Sequence, residues 1–391
     1  MKEVYIVSVS RTPVGSFNGA LASYTATQLG AHAVKSALAK IDLKGNLIDE
    51  IFVGHVLSAN AGQAPATQVA IYAGLGDKIP ATSVNKVCAS GMKAVMLAAQ
   101  SIMIGDNTIC VAGGMESMSN APYYLDKART GYKYGHQQVL DSIVKDGLWD
   151  VYNNYPMGNA GELCAKTYNI SREAQDAYAV ESYRRAQEAT KNGSFKDEIT
   201  PIEVQKGKET VLMTEDEDVS KVIFDKVPFL KPVFDKSGTI TAANASNIND
   251  GAAALVLMSK EKCEELGFTP LAKIVAFADA AQAPEWFTTA PALAIPKALD
   301  KAGILPEEVD YYEINEAFSV VCIANNQLLG LDAERVNVFG GAVSMGHPIG
   351  CSGARIVATL VSVLIAKGGK VGVASVCNGG GGASAMVLQR V

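Results

Sequence analysis

Runs of apolar residues alternate with amphipathic stretches from one end of the chain to the other. Val4-Tyr5-Ile6-Val7-Ser8-Val9 opens it as a buried strand. Ile109-Cys110-Val111-Ala112 and Val371-Gly372-Val373-Ala374-Ser375-Val376 are continuous and apolar, the pattern of strands covered on both faces. Ser90-Gly91-Met92-Lys93-Ala94-Val95-Met96-Leu97-Ala98-Ala99-Gln100 reads as a helix directly after a strand. The pattern also repeats. Ala37-Leu38-Ala39-Lys40 matches Ala298-Leu299-Asp300-Lys301, and Ile48-Asp49-Glu50 matches Val309-Asp310-Tyr311, both at an offset of 261 residues. Ser90-Gly91-Met92-Lys93-Ala94 aligns with Ser352-Gly353-Ala354-Arg355 at 262, and Ile6-Val7 with Ile274-Val275 at 268. Small loop differences account for the drift, so the chain reads as one α/β unit used twice.

Each copy runs strand, helix, strand, helix, strand. That order predicts βαβ units, a largely parallel sheet and a layered α/β body. Between the copies, residues 119–245 differ in kind, with many tyrosines and the acidic run Glu215-Asp216-Glu217-Asp218. Here Ile170-Ser171-Arg172-Glu173 reads as a helix start with Ser171 as N-cap. The expected division is 1–118 plus 246–268 as one half, 119–245 as an inserted loop domain covering the substrate, and 269–391 as the other half.

Composition narrows the function. A net charge of −6 argues against nucleic acid as the main partner. No stretch reaches about 18 uninterrupted apolar residues, so no membrane partner is expected. The first residues lack the features of a secretory signal. The seven cysteines are scattered with no C-x-x-C pair, which predicts reduced thiols in a cytoplasmic protein and neither a zinc site nor a disulfide frame.

The chemistry concentrates in four places. Cys88 stands between a strand and a helix, where the helix dipole favours thiolate, and an ordinary thiol near 8.5 needs only a small shift to ionise at neutral pH. The bland alternative is a small buried hydrophobe. His347 lies in Gly346-His347-Pro348, flanked by glycines that leave the ring reachable; a turn histidine bonded to backbone is the alternative. Of the other histidines, His32 and His136 read as structural or solvated, and His55 as a weaker rival. Cys377 ends a strand and runs into four glycines whose N–H groups could face an oxyanion; no lysine or G-x-G-x-x-G spacing supports a phosphate loop. Asn315-Glu316-Ala317-Phe318 follows the strand Tyr311-Tyr312-Glu313-Ile314, either at a ligand end or as a helix cap. Two thiols, an imidazole and an amide in such settings suggest thiol-based acyl transfer.

These blocks resemble the signature blocks of the thiolase family, in the family's order and over nearly the whole chain, and in particular its acetyl-CoA acetyltransferase branch. Val84 to Gln100 and Asn378 to Met386 resemble its potassium-responsive, mitochondrial-type members. The resemblance implies a duplicated five-layer αβαβα core with an inserted loop domain, and a homotetramer built as a dimer of dimers. It implies ping-pong acetyl-CoA C-acetyl transfer. Cys88, deprotonated by His347, carries the acyl group as a thioester, and Cys377 moves the proton on the second substrate's carbon. His347 with an Asn315-held water would form one oxyanion hole, and the N–H groups of Cys88 and Gly379 the other.

For coenzyme A, which is expected as a substrate with no tightly bound cofactor, the resemblance implies Ser246 at the pantetheine and Tyr183, Lys221 and Lys226 at the nucleotide end. Met157, Ala317 and Phe318 would line the acyl site. A potassium ion would be held by Tyr183 and the backbone of Ala242, Ala243, Ala245 and Val343. One departure stands out: where the family has His-Met-Gly, this chain has Pro156-Met157-Gly158. The competing expectations are a 3-ketoacyl-CoA thiolase of broader chain length, a decarboxylative ketoacyl synthase, which the Cys377-Asn378-Gly379 block disfavours, and a non-catalytic CoA-binding scaffold.

Overall fold

The sequence repeat becomes a repeat of elements. In the computed structural model, which describes residues 1–391, the first copy supplies β1 (Val4–Arg11), α1 (Ala26–Ala39), β2 (Glu50–Gly54), α2 (Pro65–Tyr72), β3 (Ala81–Val84), α3 (Ser90–Ile104) and β4 (Ile109–Ser117). The intervening segment holds α4 (Met157–Thr167), α5 (Arg172–Lys191) and a hairpin of β5 (Ile202–Lys206) and β6 (Glu209–Met213). The first copy then closes with β7 (Asn249–Ser259). The second copy follows as β8 (Ala272–Ala281), α6 (Pro291–Ala302), β9 (Tyr311–Ile314), α7 (Ser319–Leu329), α8 (Ile349–Lys367), β10 (Val371–Asn378) and β11 (Gly382–Arg390).

The sheet is mixed, which corrects the expectation of a largely parallel one. Its order is β9-β10-β11-β8-β1-β7-β4-β2-β3, and the two-residue strand Gly15–Ser16 pairs with β7. Only β2 with β3, β2 with β4, and β9 with β10 run parallel. The closing strand of each copy has no crossover helix before it. β11 returns from β10 through the glycine turn, and a short turn can join only antiparallel strands. β7 arrives from the inserted segment and pairs antiparallel with both β1 and β4. The two copies join where Val4–Ile6 of β1 meets Ala272–Ile274 of β8.

Three cores account for five layers. One packs α1 and α2 on the outer face of the first copy's strands. Another packs α6 and α7 on the outer face of the second copy's strands. The largest fills the space between the copies with α3 and α8. The two middle helices approach closely at their N-termini because residues there lack Cβ atoms. A Cβ on Gly91 would lie 2.7 Å from the Ala354 nitrogen, and one on Gly353 would lie 2.5 Å from that of Met92. Two segments, Val87–Ile104 and Ile349–Lys367, are long and apolar enough to cross a membrane, although polar residues interrupt both. They contain the two middle helices, 61% and 83% buried, so their hydrophobicity belongs to the core.

The inserted segment is tied down by buried charge. Arg11 at the end of β1 donates to Glu198 at 2.6 Å and to both oxygens of Asp216 at 2.7 and 2.9 Å, with the Phe195 ring 5.2 Å from its guanidinium. Such a buried network of charge-assisted hydrogen bonds favours one arrangement, although Glu198 Oε2 is left without a partner, and losing one member would strand the other charges. Ser171 caps α5 by accepting from the Ala174 N–H, as its position predicts.

Candidate active site

A cavity of about 730 Å³, mostly apolar, opens where the inserted segment meets the two copies. Cys88, His347 and Gly379 line it.

Cys88 sits on the turn from β3 into α3. The residue before it, Val87, has φ +48°, a conformation that costs a β-branched residue energy. Three hydrogen bonds hold the turn. The Val87 N–H donates to Asn85 Oδ1 at 3.0 Å, Ser90 Oγ donates to the Val87 carbonyl at 2.5 Å, and the same Oγ accepts from the Lys86 N–H at 2.8 Å. The Cys88 sulfur receives the backbone N–H groups of Gly379 and of Cys88 itself, which favour thiolate. Burial outweighs them and pushes the thiol up to about 11, with Glu116 adding to the rise. Desolvation thus opposes the lowering expected from the N-terminus of α3, which begins two residues on at Ser90.

His347 is buried on the loop before α8. Its backbone N–H donates to Asn249 Oδ1 at 3.0 Å, and its Nδ1 lies 2.6 Å from Ser352 Oγ. With the Ser352 hydroxyl proton on the Pro348 carbonyl at 3.0 Å, Oγ accepts from Nδ1–H. That fixes the tautomer and leaves Nε2 as a bare acceptor, buried and without a protein partner. Burial, with Arg355 adding to it, depresses the imidazole to about 3, so the ring stays neutral.

Cys377 lies one residue from the end of β10, fully buried against Met157, Ala317 and Phe287 rather than on the cavity surface. Burial first and the neighbouring Cys88 second raise its thiol well above the ordinary range. Of the four glycines that follow, only Gly379 faces the cavity; Gly380 and Gly381, at φ +86° and +83°, make the turn into β11. Asn315 is buried just past β9. Its N–H donates to the Ser375 carbonyl at 2.9 Å, while both side-chain amide atoms are buried without protein partners.

Met157, Ser246, Ala317, Phe318, Ala242 and Ala245 also line the cavity. Ser246 is held by Ala317, whose carbonyl accepts from its N–H at 3.1 Å and its hydroxyl at 2.8 Å. Pro156 lines the wall as the N-cap of α4, and a Cβ on the next glycine, Gly158, would run into the Phe234 ring. Tyr183 does not line the cavity. It is buried beside Val343, with its hydroxyl pushed up to about 12 by burial and by the charges of Asp218 and Glu316. Ala243 is buried next to the lining alanines. Lys221 stands at the rim, bonded to Ser16 at 2.5 Å and Glu217 at 2.8 Å, and Lys226 is exposed on the turn Phe224–Phe229.

Sequence reasoning passed over three residues that shape this site: Ser352, Asn249 and Glu116. The Glu116 carboxylate accepts from the N–H groups of Val56, Leu57 and Gly350 at 3.1, 3.1 and 2.9 Å and lies 3.3 Å from His55 Nε2. Ser352 carried a signal, since it repeats Ser90; the other two lie within strands and show only their strand pattern.

The site can be set beside known proteins. Residues 4–261 match the thiolase N-terminal domain and residues 268–390 the thiolase C-terminal domain. A Schizosaccharomyces pombe protein named acetyl-CoA acetyltransferase is 58% identical over 391 residues, covering 100% of this chain and 99% of that protein. Arabidopsis thaliana acetyl-CoA acetyltransferase 1 is 57% identical over 99% of this chain and 94% of its own. Among solved structures, the Acat5 thiolase of Ascaris suum, crystallised with coenzyme A, superposes with a TM-score of 0.94 at 46% identity, each chain covered in full. The Bacillus anthracis acetyl-CoA acetyltransferase gives 0.97 at 38% identity over 100% of this chain and 99% of that one. In sequence, in element order and in backbone, this chain belongs to the thiolase family.

Proposed function

We propose that the protein is an acetyl-CoA C-acetyltransferase that cleaves acetoacetyl-CoA with coenzyme A and runs the reverse Claisen condensation. The observation that carries this reading is the bare Nε2 of His347 on the same cavity as the Cys88 sulfur, which two backbone N–H groups face. The relatives' names favour the short acyl chain over the broader-chain thiolase.

In the first half-reaction Nε2 takes the Cys88 proton as the sulfur attacks the acyl carbonyl. The N–H groups of Cys88 and Gly379 receive the charge that develops on oxygen, and the thiol of coenzyme A or the acetyl-CoA enolate leaves. In the second, Cys377, left as the thiolate once its proton has gone to the departing coenzyme A thiolate, removes a proton from the methyl of acetyl-CoA, and the carbanion attacks the Cys88 thioester while His347 returns its proton to the Cys88 sulfur. In the thiolysis direction the Cys377 thiol protonates the departing carbanion. His347 and a water held by Asn315 stabilise the enolate. Because Cys377 and Cys88 raise each other's cost of ionising, they take turns carrying charge.

Ser246 contacts the pantetheine, and Lys221 and Lys226 meet the nucleotide end of coenzyme A. The domain division is 1–118 plus 246–268, 119–245 and 269–391. Potassium would be held by Tyr183 and the carbonyls of Ala242, Ala243, Ala245 and Val343; oxygen donors in the field of Asp218 and Glu316 suit a hard monovalent cation. A homotetramer is supported by the exposed apolar side chains Tyr123, Leu125 and Val139 on the hairpin Tyr123–Leu125/Val139–Asp141. A cytosolic site is supported by a 53% identical Gibberella zeae relative named as cytosolic.

The test is a thiolysis assay with acetoacetyl-CoA, 2-methylacetoacetyl-CoA and a C8 homologue, with and without potassium. Acetoacetyl-CoA should be turned over fastest, and Cys88→Ala should abolish turnover. Retained turnover in that variant overturns the reading.

A further inference from the structure

Asn249, the first residue of β7, is fully buried and makes three hydrogen bonds to three different parts of the chain. Its Oδ1 accepts the N–H of His347 at 3.0 Å. Its Nδ2 donates to the Gly15 carbonyl and to Asp218 Oδ2, both at 2.9 Å. The His347 loop is shaped around it. Gly346 has φ +105°, and a Cβ there would lie 2.3 Å from the Asn249 amide carbon, so this residue must be glycine for the loop to close on the amide. Asp218 belongs to the acidic run of the inserted segment. It also accepts from Ser16 Oγ and from Asn247 Nδ2, and lies 3.5 Å from Lys221 Nζ. Behind it, Asp216 is locked to Arg11.

We propose that Asn249 is a positioning residue for His347, and that Asp218 acts through it, so that the aim of the imidazole depends on the inserted segment being docked. The His347 N–H has Asn249 Oδ1 as its one partner, and the Asn249 amide is pinned in turn by the Gly15 carbonyl and Asp218. Asn249 is the only side chain bonded to the His347 backbone N–H, and the Ser352 contact fixes the ring but not the loop that carries it. An amide is required because one end must accept from a peptide N–H while the other donates to a carboxylate. Aspartate cannot donate at neutral pH, and a shorter residue reaches neither side. A displacement of the ring by a fraction of an ångström is enough to weaken proton transfer from Cys88.

The inference rests on His347 acting as the base for Cys88, and the experiment separates the two. Alkylation of Cys88 by iodoacetamide is followed on the full-length protein from pH 6 to 10, with the Cys88 peptide quantified by mass spectrometry and no substrate present. The charged or titratable groups around the reacting pair are Glu116 on β4, Arg355 on α8, Cys377 on β10 and Asp218; all but Asp218 are unchanged throughout. His347→Ala should slow alkylation at pH 8 by about a hundredfold. If it does not, the role of His347 fails, and with it the basis of the inference.

Given that loss, Asn249→Ala should slow alkylation by about tenfold and move the profile to higher pH, and Asp218→Asn should act in the same direction, because an ångström-scale misplacement costs rates of that order. A further variant is the exchange Asn249→Asp with Asp218→Asn, which restores an amide facing a carboxylate in reversed order and keeps an acceptor for the His347 N–H, while the Gly15 carbonyl loses its donor. It should recover part of the loss and alkylate faster than either Asn249→Asp or Asp218→Asn alone. A parent-like profile in folded Asn249→Ala overturns the proposal. So does an exchange variant no better than the single changes, which also decides the matter if Asn249→Ala does not fold.

Discussion

Ahead of α3 the first copy carries a thiol; ahead of α8, at the matching place, the second carries an imidazole. Both groups stand on the segment that leads into a middle helix, with a serine two residues past Cys88 and another five past His347. Ser90 ties back to Val87 and Lys86, and Ser352 ties back to Pro348 and His347. Each copy also has a buried glutamate that staples neighbouring segments. Glu116, at the end of β4, holds Val56, Leu57 and Gly350, while Glu316, just past β9, holds Tyr178, Ser182, Asn337 and Val343. The copies differ in what stands at the strand ends. Where β4 ends in a structural carboxylate, β10 ends in Cys377; where β2 runs into His55, β9 runs into Asn315. On the proposed mechanism, one scaffold, used twice, thus separates the group that holds the acyl unit from the groups that handle protons.

That division of labour is most exposed to Cys377→Ala. On the proposed mechanism the variant still transfers acetyl from acetyl-CoA to Cys88, because only the first copy's thiol and His347 are needed. It should lose carbon–carbon bond formation and thiolysis by about 10⁴-fold or more in kcat. Mass spectrometry would find the acetylated Cys88 peptide accumulating with no acetoacetyl-CoA formed. Cys88→Ala should show neither. If Cys377→Ala fails to acetylate, the two thiols do not divide the work as the two copies suggest.

The matching serines give a smaller contrast. Ser352→Ala removes the acceptor that holds Nδ1–H, so the ring can present the wrong nitrogen to Cys88. A loss of about a hundredfold in kcat is expected, with little change in thermal stability. Ser90→Ala instead frees the turn at Val87. It should lower kcat by about tenfold and also lower stability by about 1 kcal/mol, since the strained backbone loses two of its restraints. Equal effects on kcat from the two serines would show that the tautomer is set by something other than Ser352.

Much of this was legible before any coordinates. Cys88, His347, Cys377 and Asn315 announce themselves because each chemical group follows a strand pattern and three are set among small residues. The duplication shows because the two copies keep the same spacing of helix faces. Chain direction in the sheet was not legible: β7 and β11 read as buried strands whichever way they run, and only the glycine turn after Asn378 hinted at a hairpin. The desolvation of Cys88 was not legible, for a physical reason. A helix N-terminus can be located from sequence, whereas the desolvation that opposes it at Cys88 depends on what packs there from Val56, Met118, Ile143 and Ile349, brought together only by the fold. Asn249 escaped for a related reason, since its three partners lie at residues 15, 218 and 347.

The mildest contrast lies inside the cores. Phe52 on β2 faces Ala112 on β4, and Glu313 on β9 faces Ala374 on β10, so a carboxyl occupies in the second copy the register position that a phenyl ring fills in the first. Glu313 is fully buried, its nearest cation is Arg355 at 3.8 Å, and burial lifts its carboxyl from an ordinary 4.5 to about 8. The folded chain therefore keeps a proton there that the unfolded chain releases near pH 4.5. Stability from this residue is complete below that pH and is lost as pH rises toward about 8. Glu313→Gln, which cannot ionise, should match the parent at pH 4.5 within about 0.5 kcal/mol and exceed it at pH 9 by at least about 1 kcal/mol. Denaturant unfolding at the two values reads the difference directly. A gap of the same size at both would mean that Glu313 is ionised in the folded core, with Arg355 as a full partner, and the second copy would then carry a true ion pair where the first carries a ring.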